Sequence, residues 1–241
     1  MTPTRPHGVL RRSGGWLATA VALLLAVLAN VPTSGAPERE ATAVLDMFLA
    51  RPLVPSQYRA TRHLEAQGGG QRGWLDVATE FAPGSGMHYT ITAQGGSGLI
   101  RSRILRSLLD EEQELIARGA ADTVAIAHKN YEFGMEGTST DGLQRVTLKP
   151  RRKERALIAG TMFLMPGDGE LVRVEGKLAK SPSLWMKRVE VVRSYARING
   201  ILVPTSLDSI AHMRLLGRSS MRMAYRYTEI DNQPVIEPSA P

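Results

Sequence analysis

Residues 220 to 227 read SMRMAYRY, so that Met221, Met223, Tyr225 and Tyr227 alternate with Ser220, Arg222, Ala224 and Arg226. Thioethers and phenol rings along one side of an extended chain offer apolar contact, with methionine filling irregular gaps. The row is either ordinary core or the wall of a greasy cavity, and alternation alone fits both. The same parity recurs elsewhere. Leu75, Val77 and Phe81 share a side, as do Tyr89 and Ile91, Val189 and Val191, and Leu207, Ala211 and Met213. Opposite them lie Asp76, Glu80, Arg188, Glu190, Asp208, His212, Arg222 and Arg226. One apolar and one wet sheet face follow. If the apolar face lines a ligand cavity, its expected wall is Leu75, Val77, Tyr89, Ile91, Val189, Val191, Leu207, Met213, Met221, Met223, Tyr225 and Tyr227.

Strings that could make or break bonds are weaker. Gly68 to Gly73, GGGQRG, satisfies a dinucleotide-binding spacing but leads into a strand at Trp74 and has no parallel βαβ pattern around it, so it reads as a turn. PGSGM and GGSGL miss the spacing of a nucleophile elbow. His63, His88, His128 and His212 are scattered without metal-ligand spacing, and the chain has no cysteine. Glu111 and Glu112 are consecutive on a helix and point apart. No catalytic site, metal or cofactor is expected. KPRRKER, residues 149 to 155, reads as a solvated turn, with attraction to anionic lipid head groups as the functional alternative.

The positioning elements follow from periodicity. PEREATAVLDMFLARP carries Ala41, Val44, Leu45, Phe48 and Leu49 at helical spacing, with acids in the first turn. YRATRHLEAQ, RGWLDVATEF and MHYTITAQ alternate and are separated by glycine-rich turns. GLIRSRILRSLLDEEQELIARG then forms a helical stripe through Ile100, Ile104, Leu105, Leu108, Leu109, Leu115 and Ile116, ended by Gly119. Its arginines precede its acids, against the helix dipole, so burial of the stripe must hold it. It could be a packed helix or a lid. After AADTVAIAHKN, which has no clear period, seven further strand-like segments are punctuated by Asp141-Gly142, Gly167-Asp168-Gly169, Ser181-Pro182-Ser183, Asn199-Gly200 and Leu216-Gly217-Arg218. About ten antiparallel strands must curl, leaving a concave side that the helices can fill. The expected class is mainly β with helices (α+β).

Arg5, Arg11 and Arg12 precede an apolar run from Trp16 to Ala29 and the small residues up to Ala36, the order of a secretory signal peptide. Residues 1 to 36 are expected to be cleaved, after Ala36 or Gly35, leaving 37 to 241 as one domain. Losing three arginines and no acid takes the formal charge from +7 to +4. Without cysteine there is neither disulfide nor cysteine-linked lipid anchor, and the expectation is a periplasmic protein with no stable membrane span after signal removal. Modest charge and export argue against nucleic acid as a partner.

The order of these elements resembles the LolA/LolB superfamily of lipoprotein-localisation factors, and LVRVEG, YARINGILVPTS and RMAYRYTEI are similar to bacterial proteins labelled outer-membrane lipoprotein-sorting proteins. The resemblance implies an unclosed half-barrel with helices on its concave side and a hydrophobic cavity for acyl chains. It further implies a role in carrying lipid or lipoprotein to the outer membrane, with no catalysis. The alternatives are a non-catalytic envelope interaction protein or stress sensor, with a self-filled cavity and a protein partner, and, more remotely, a hydrolase assembled from distant residues.

Overall fold

Helix α1 occupies Ala36–Leu49, and its Ala41, Val44, Leu45 and Phe48 are buried at helical spacing while Arg39, Glu40 and Asp46 are exposed. The computed structural model describes residues 36–51, 55–181, 186–213 and 217–236, with backbone alone at 36–38, Met186 and Met213. The expected leader, residues 1 to 36, lies outside the described residues apart from Ala36. Glu38–Pro241 form one compact unit.

Among the described residues eleven strands follow, where about ten are expected: β1 (Tyr58–Gly68), β2 (Gln71–Ala82), β3 (Gly86–Gly96), β4 (Tyr131–Thr138), β5 (Gln144–Pro150), β6 (Ile158–Leu164), β7 (Leu171–Leu178), β8 (Met186–Ile198), β9 (Ile201–Met213), β10 (Gly217–Ile230) and the short β11 (Gln233–Pro234). The glycine-rich string is a turn, Gly69 and Gly70 both taking positive φ to join β1 and β2. Strand β6 begins at Ile158, later than the alternation from Glu154 suggests.

All the strands belong to one antiparallel sheet in the order β3-β2-β1-β10-β9-β8-β7-β6-β5-β4, with β11 beside β10. Strands β3 and β4 are its two edges and do not pair, which makes an unclosed half-barrel of α+β class. Register shifts at Arg59/Ala60, Asp76/Val77, Phe163/Leu164 and Ser194/Tyr195 help to curl it. Gly160 and Gly176 oppose each other across β6 and β7, where a Cβ would stand 2.0 Å or 2.4 Å from a carbonyl oxygen of the facing strand. Glycine alone permits that approach.

Because β3 and β4 are opposite edges, the chain between them must cross the sheet. It does so as helix α2, residues 98–117, and a short 3-10 turn at Ala121–Thr123. Helix α2 is not the uniform α-helix that the stripe predicts. A π-helical stretch, Arg101–Arg106, separates Gly98–Ile100 from Ser107–Ala117. The wider turn keeps Ile100, Leu105 and Leu109 against the sheet and leaves Ile104 at 38% exposure, outside the buried stripe. The basic 149–155 stretch joins β5 to β6 and is more than a solvated turn. The Arg151 Nε donates to the carbonyls of His128 and Tyr131, and Arg152 to Asn130 Oδ1 and the Thr123 carbonyl, fastening the end of the crossing.

The helices bury two parts of one sheet face. Val44, Leu45 and Phe48 of α1 pack with Tyr131, Val146, Leu148, Met162, Leu164 and Val174. Ile100, Leu105 and Leu109 of α2 pack with Leu64, Ala66, Leu75, Val77 and Met223.

Candidate functional site

Strands β1, β2, β3 and β10 present Leu64, Leu75, Val77, Ile91 and Met223 to α2 because their inward positions share parity through the register: Leu64 stands between Leu75 and Met223, and Val77 opposes Ile91. Leu64, Leu75, Leu105 and Leu109 have no exposed surface, and Met223 has 1%. The apolar face is therefore filled by the chain's own helix. Eight of the expected wall residues meet in this cluster: Leu75, Val77, Tyr89, Ile91, Leu207, Met221, Met223 and Tyr225. Tyr227 lies in a neighbouring cluster with Ala60, Val203 and Ile230. Val189 and Val191 are buried on β8 outside these clusters, and the side chain of Met213 lies outside the described residues.

Two polar fasteners tie α2 to the sheet. Arg62, on the inward side of β1 with a side chain only 1% exposed, forms a bidentate pair with Glu112: Nη1 to Oε2 at 2.6 Å and Nη2 to Oε1 at 3.3 Å. The same Nη2 donates to Tyr58 Oη at 2.8 Å, and the guanidinium carbon lies 4.8 Å from the Tyr225 ring centroid. Burial is the largest influence on Arg62 and opposes its charge, but Glu112, Tyr225 and Tyr58 outweigh it and hold its pKa above the ordinary arginine value. At the other side of the helix, Tyr89 donates to Asp110 Oδ1 at 2.5 Å, and burial followed by this bond pushes Tyr89 up to about 12. Arg106 adds a bond to Gln94 on β3. These contacts stabilise a helix whose charge order opposes its dipole.

A second inward arginine lies between the two apolar clusters. Arg193 on β8 pairs across the sheet with Val174 of the α1 cluster on one side and with Leu207 beside the α2 cluster on the other. Its guanidinium carbon is 5.5 Å from the Tyr195 ring centroid, and its enclosed Nε has no hydrogen-bond partner. Sequence reading assigned arginines to the wet face and missed both Arg62 and Arg193. The signal was present in parity: Arg62 falls on the same side as Ala60, Leu64 and Ala66, and Arg193 on the same side as Val189 and Val191.

At the lower end of this face, β9 contains Pro204 in a central strand. Its missing N–H coincides with the irregularity opposite Tyr195, and the Tyr227 hydroxyl donates to the Pro204 carbonyl at 3.0 Å. Tyr227 thus bridges β10 and β9 beyond Ala224↔Ser206, where their ladder ends. Burial raises the Tyr227 pKa strongly.

The opposite face carries a cleft of about 900 Å³ across β1, β2 and β5 to β10. Phe163, Val192 and Ile210 contribute apolar surface there, among Arg72, Arg145, Lys177, Arg188, Arg222 and the acids Glu65, Glu175, Glu190 and Asp208. Many of these charges neutralise each other locally, as in Arg72–Glu65, Arg188–Glu190 and Arg222–Asp208. On this face His63 Nδ1 lies 2.6 Å from Asp76 Oδ1 and stacks on Trp74. The pair has two members of a hydrolytic triad, but His63 has no hydrogen bond to a serine or threonine among the described residues. Among the described residues no three His, Asp or Glu side chains are grouped to hold a metal, and no helix is long and apolar enough to cross a membrane.

No family model and no curated protein matches this sequence. Among solved structures, a DUF1329 family protein from Desulfovibrio piger aligns over 79% of this chain and 91% of its own at 9% identity and a TM-score of 0.40. A structure of lipovitellin, described by its lipid–protein interactions, aligns over 78% of this chain and 27% of its own at 11% identity and a TM-score of 0.34. The LolA superfamily protein NE2245 from Nitrosomonas europaea aligns over 82% of this chain and 94% of its own at 10% identity and a TM-score of 0.36.

Proposed function

We propose that this protein binds the acyl chain of a lipid or lipoprotein in the periplasm, between helix α2 and the sheet face of β1, β2, β3 and β10, for transport or sorting to the outer membrane. The observation that carries this reading is the way α2 is fastened. It closes an apolar face through Ile100, Leu105 and Leu109, and is pinned at its sides by Arg62–Glu112 and Tyr89–Asp110. Displacement of the helix frees Leu64, Leu75, Val77, Ile91, Met221 and Met223 for an apolar chain of similar width. Each buried methylene contributes about 0.8 kcal/mol, which offsets the ordering of ligand and helix once a long chain is engaged. Methionines at 221 and 223 adapt to an occupant without a fixed shape. No covalent step is required.

A second reading rests on the filled state. Leu105 and Leu109 are themselves fully buried against the face, which favours an envelope interaction protein that engages a protein partner by its surface. Native mass spectrometry of the protein purified from the periplasm, followed by extraction of bound material, separates the two. Stoichiometric acyl lipid that is lost on Met223→Lys in a folded variant supports the carrier. A ligand-free protein that takes up no fluorescent fatty acid, even with Glu112→Gln loosening the helix, supports the interaction protein and sinks the carrier.

A further inference from the structure

The sheet face that the helices cover carries an inward arginine that no acid pairs with among the described residues. Arg62 and Arg193 both point inward, and a guanidinium stays protonated at any pH the protein meets. Glu112 acts on both, and its two oxygens are already taken by Arg62. Arg193 has no ion pair and no hydrogen bond among the described residues; its Nε is enclosed and its one aromatic partner is Tyr195. An enclosed, unpaired guanidinium donor is costly, and native proteins keep such groups where something else completes them. Two hydroxyls near it also lack a partner, although unlike the Nε they are not enclosed. Tyr225, which feels both arginines, and Tyr195 have no hydrogen-bond partner for their phenol groups among the described residues. The rest of the Arg193 side chain is partly open to solvent, so a small group can reach it.

The location matters as much as the charge. Arg193 stands at the border of the two apolar clusters, with Leu207 on one flank and Val174 on the other, and Tyr225 belongs to the rim of the α2 cluster. An apolar chain lying under α2 would end there.

We infer that the ligand carries an oxyanion head group, a carboxylate or a phosphate, which seats on Arg193 with the Tyr195 and Tyr225 hydroxyls as further donors while its chain lies under α2. The inference rests on the acyl-binding reading and adds the chemistry of the head group. Planar guanidinium donors match either oxyanion, and the unpaired Nε supplies one arm of the fork.

The test compares three ligands with the same saturated chain: hexadecanoate, hexadecyl phosphate and hexadecanol. Their dissociation constants are measured on the purified protein by displacement of a fluorescent fatty-acid probe. The expected result is that at least one anion binds about tenfold or more tightly than the alcohol, the better of the two identifying a fatty-acid or a phospholipid source. Arg193→Gln closes that gap to about twofold, and Arg193→Lys keeps part of it. Equal binding of all three overturns the head-group site while leaving acyl binding intact. Binding of none overturns both. The wild-type comparison decides even if Arg193→Gln does not fold.

Discussion

Helices α1 and α2 cover neighbouring parts of one sheet face, and they are seated differently. Helix α1 seals with Val44, Leu45 and Phe48 and is met by backbone: Gly169, at φ +69°, approaches so closely that a Cβ there would lie 2.5 Å from the Val44 carbonyl oxygen. Helix α2 seals with Leu105 and Leu109 but is also bound by Arg62–Glu112, Tyr89–Asp110 and Arg106–Gln94, and it contains a π-helical stretch with Leu99 and Ile104 exposed. A seat made by backbone approach and close packing has one arrangement, whereas side-chain pairs at a helix margin can break and reform without unfolding the sheet. On the proposed acyl-binding reading, α1 is permanent core and α2 is the cover.

The largest expected effect compares the two seats directly. Phe48→Ala should lower global stability by about 4 kcal/mol, measured by chemical denaturation. Leu109→Ala removes a comparable side chain, yet part of its cost should appear as faster amide exchange confined to α2. If both variants unfold the whole chain alike, with no separate opening of α2, the two helices are equivalent core. Next is Glu112→Gln, which leaves Arg62 enclosed without its counter-charge. Because Glu112 is 30% exposed, the cost is discounted to about 2 kcal/mol, read as hydrogen exchange accelerated in α2 and unchanged in α1. Gly169→Ala should cost about 2 kcal/mol through positive φ and the clash with α1, and should leave exchange in α2 as it was.

Alkali gives a further contrast, because the raised tyrosines flank α2. Burial, the largest influence, pushes Tyr58 up to about 12, and Tyr89 is raised to about 12 as well. Between pH 10 and 12 the unfolded chain has released protons that the folded chain still holds, so stability is present below pH 10 and falls as pH rises toward 12. The contribution of Tyr58 is about 2 kcal/mol, checked by following phenolate absorbance alongside denaturation. A transition with no loss of stability below pH 12 would place both phenols in ordinary surroundings. The smallest effect is distant from both helices: Asp231 accepts from Ser56 N, Ser56 Oγ and Gln57 N, and Asp231→Asn should cost about 1 kcal/mol at the start of β1.

The alternation in SMRMAYRY was readable because a strand's period of two is local, and so was the turn at Gly69-Gly70, where consecutive glycines admit positive φ. The stripe of α2 was readable in part: Leu105 and Leu109 keep the period, while Ile104 departs from it because a π turn adds a residue that no amphipathic pattern announces. Inward arginines were overlooked because charge by itself suggests water. Parity was the better guide at Arg62, whose partner Glu112 is 50 residues away along the chain.

The sequence by itself determined the alternation, the hairpin turns and the helical stripes, since each depends on residues within a turn or two of one another. Tertiary structure alone decided that β1 pairs with β10, that β3 and β4 become opposite edges, and that the chain joining them must cross the apolar face as α2. That crossing packs against the face at Met223 and brings Arg62 to Glu112, while Arg193 stays between the two helical seats with no carboxylate of its own among the described residues. The physical reason is that pairing order and the balance of buried charge depend on which distant segments meet, and no local period encodes that meeting.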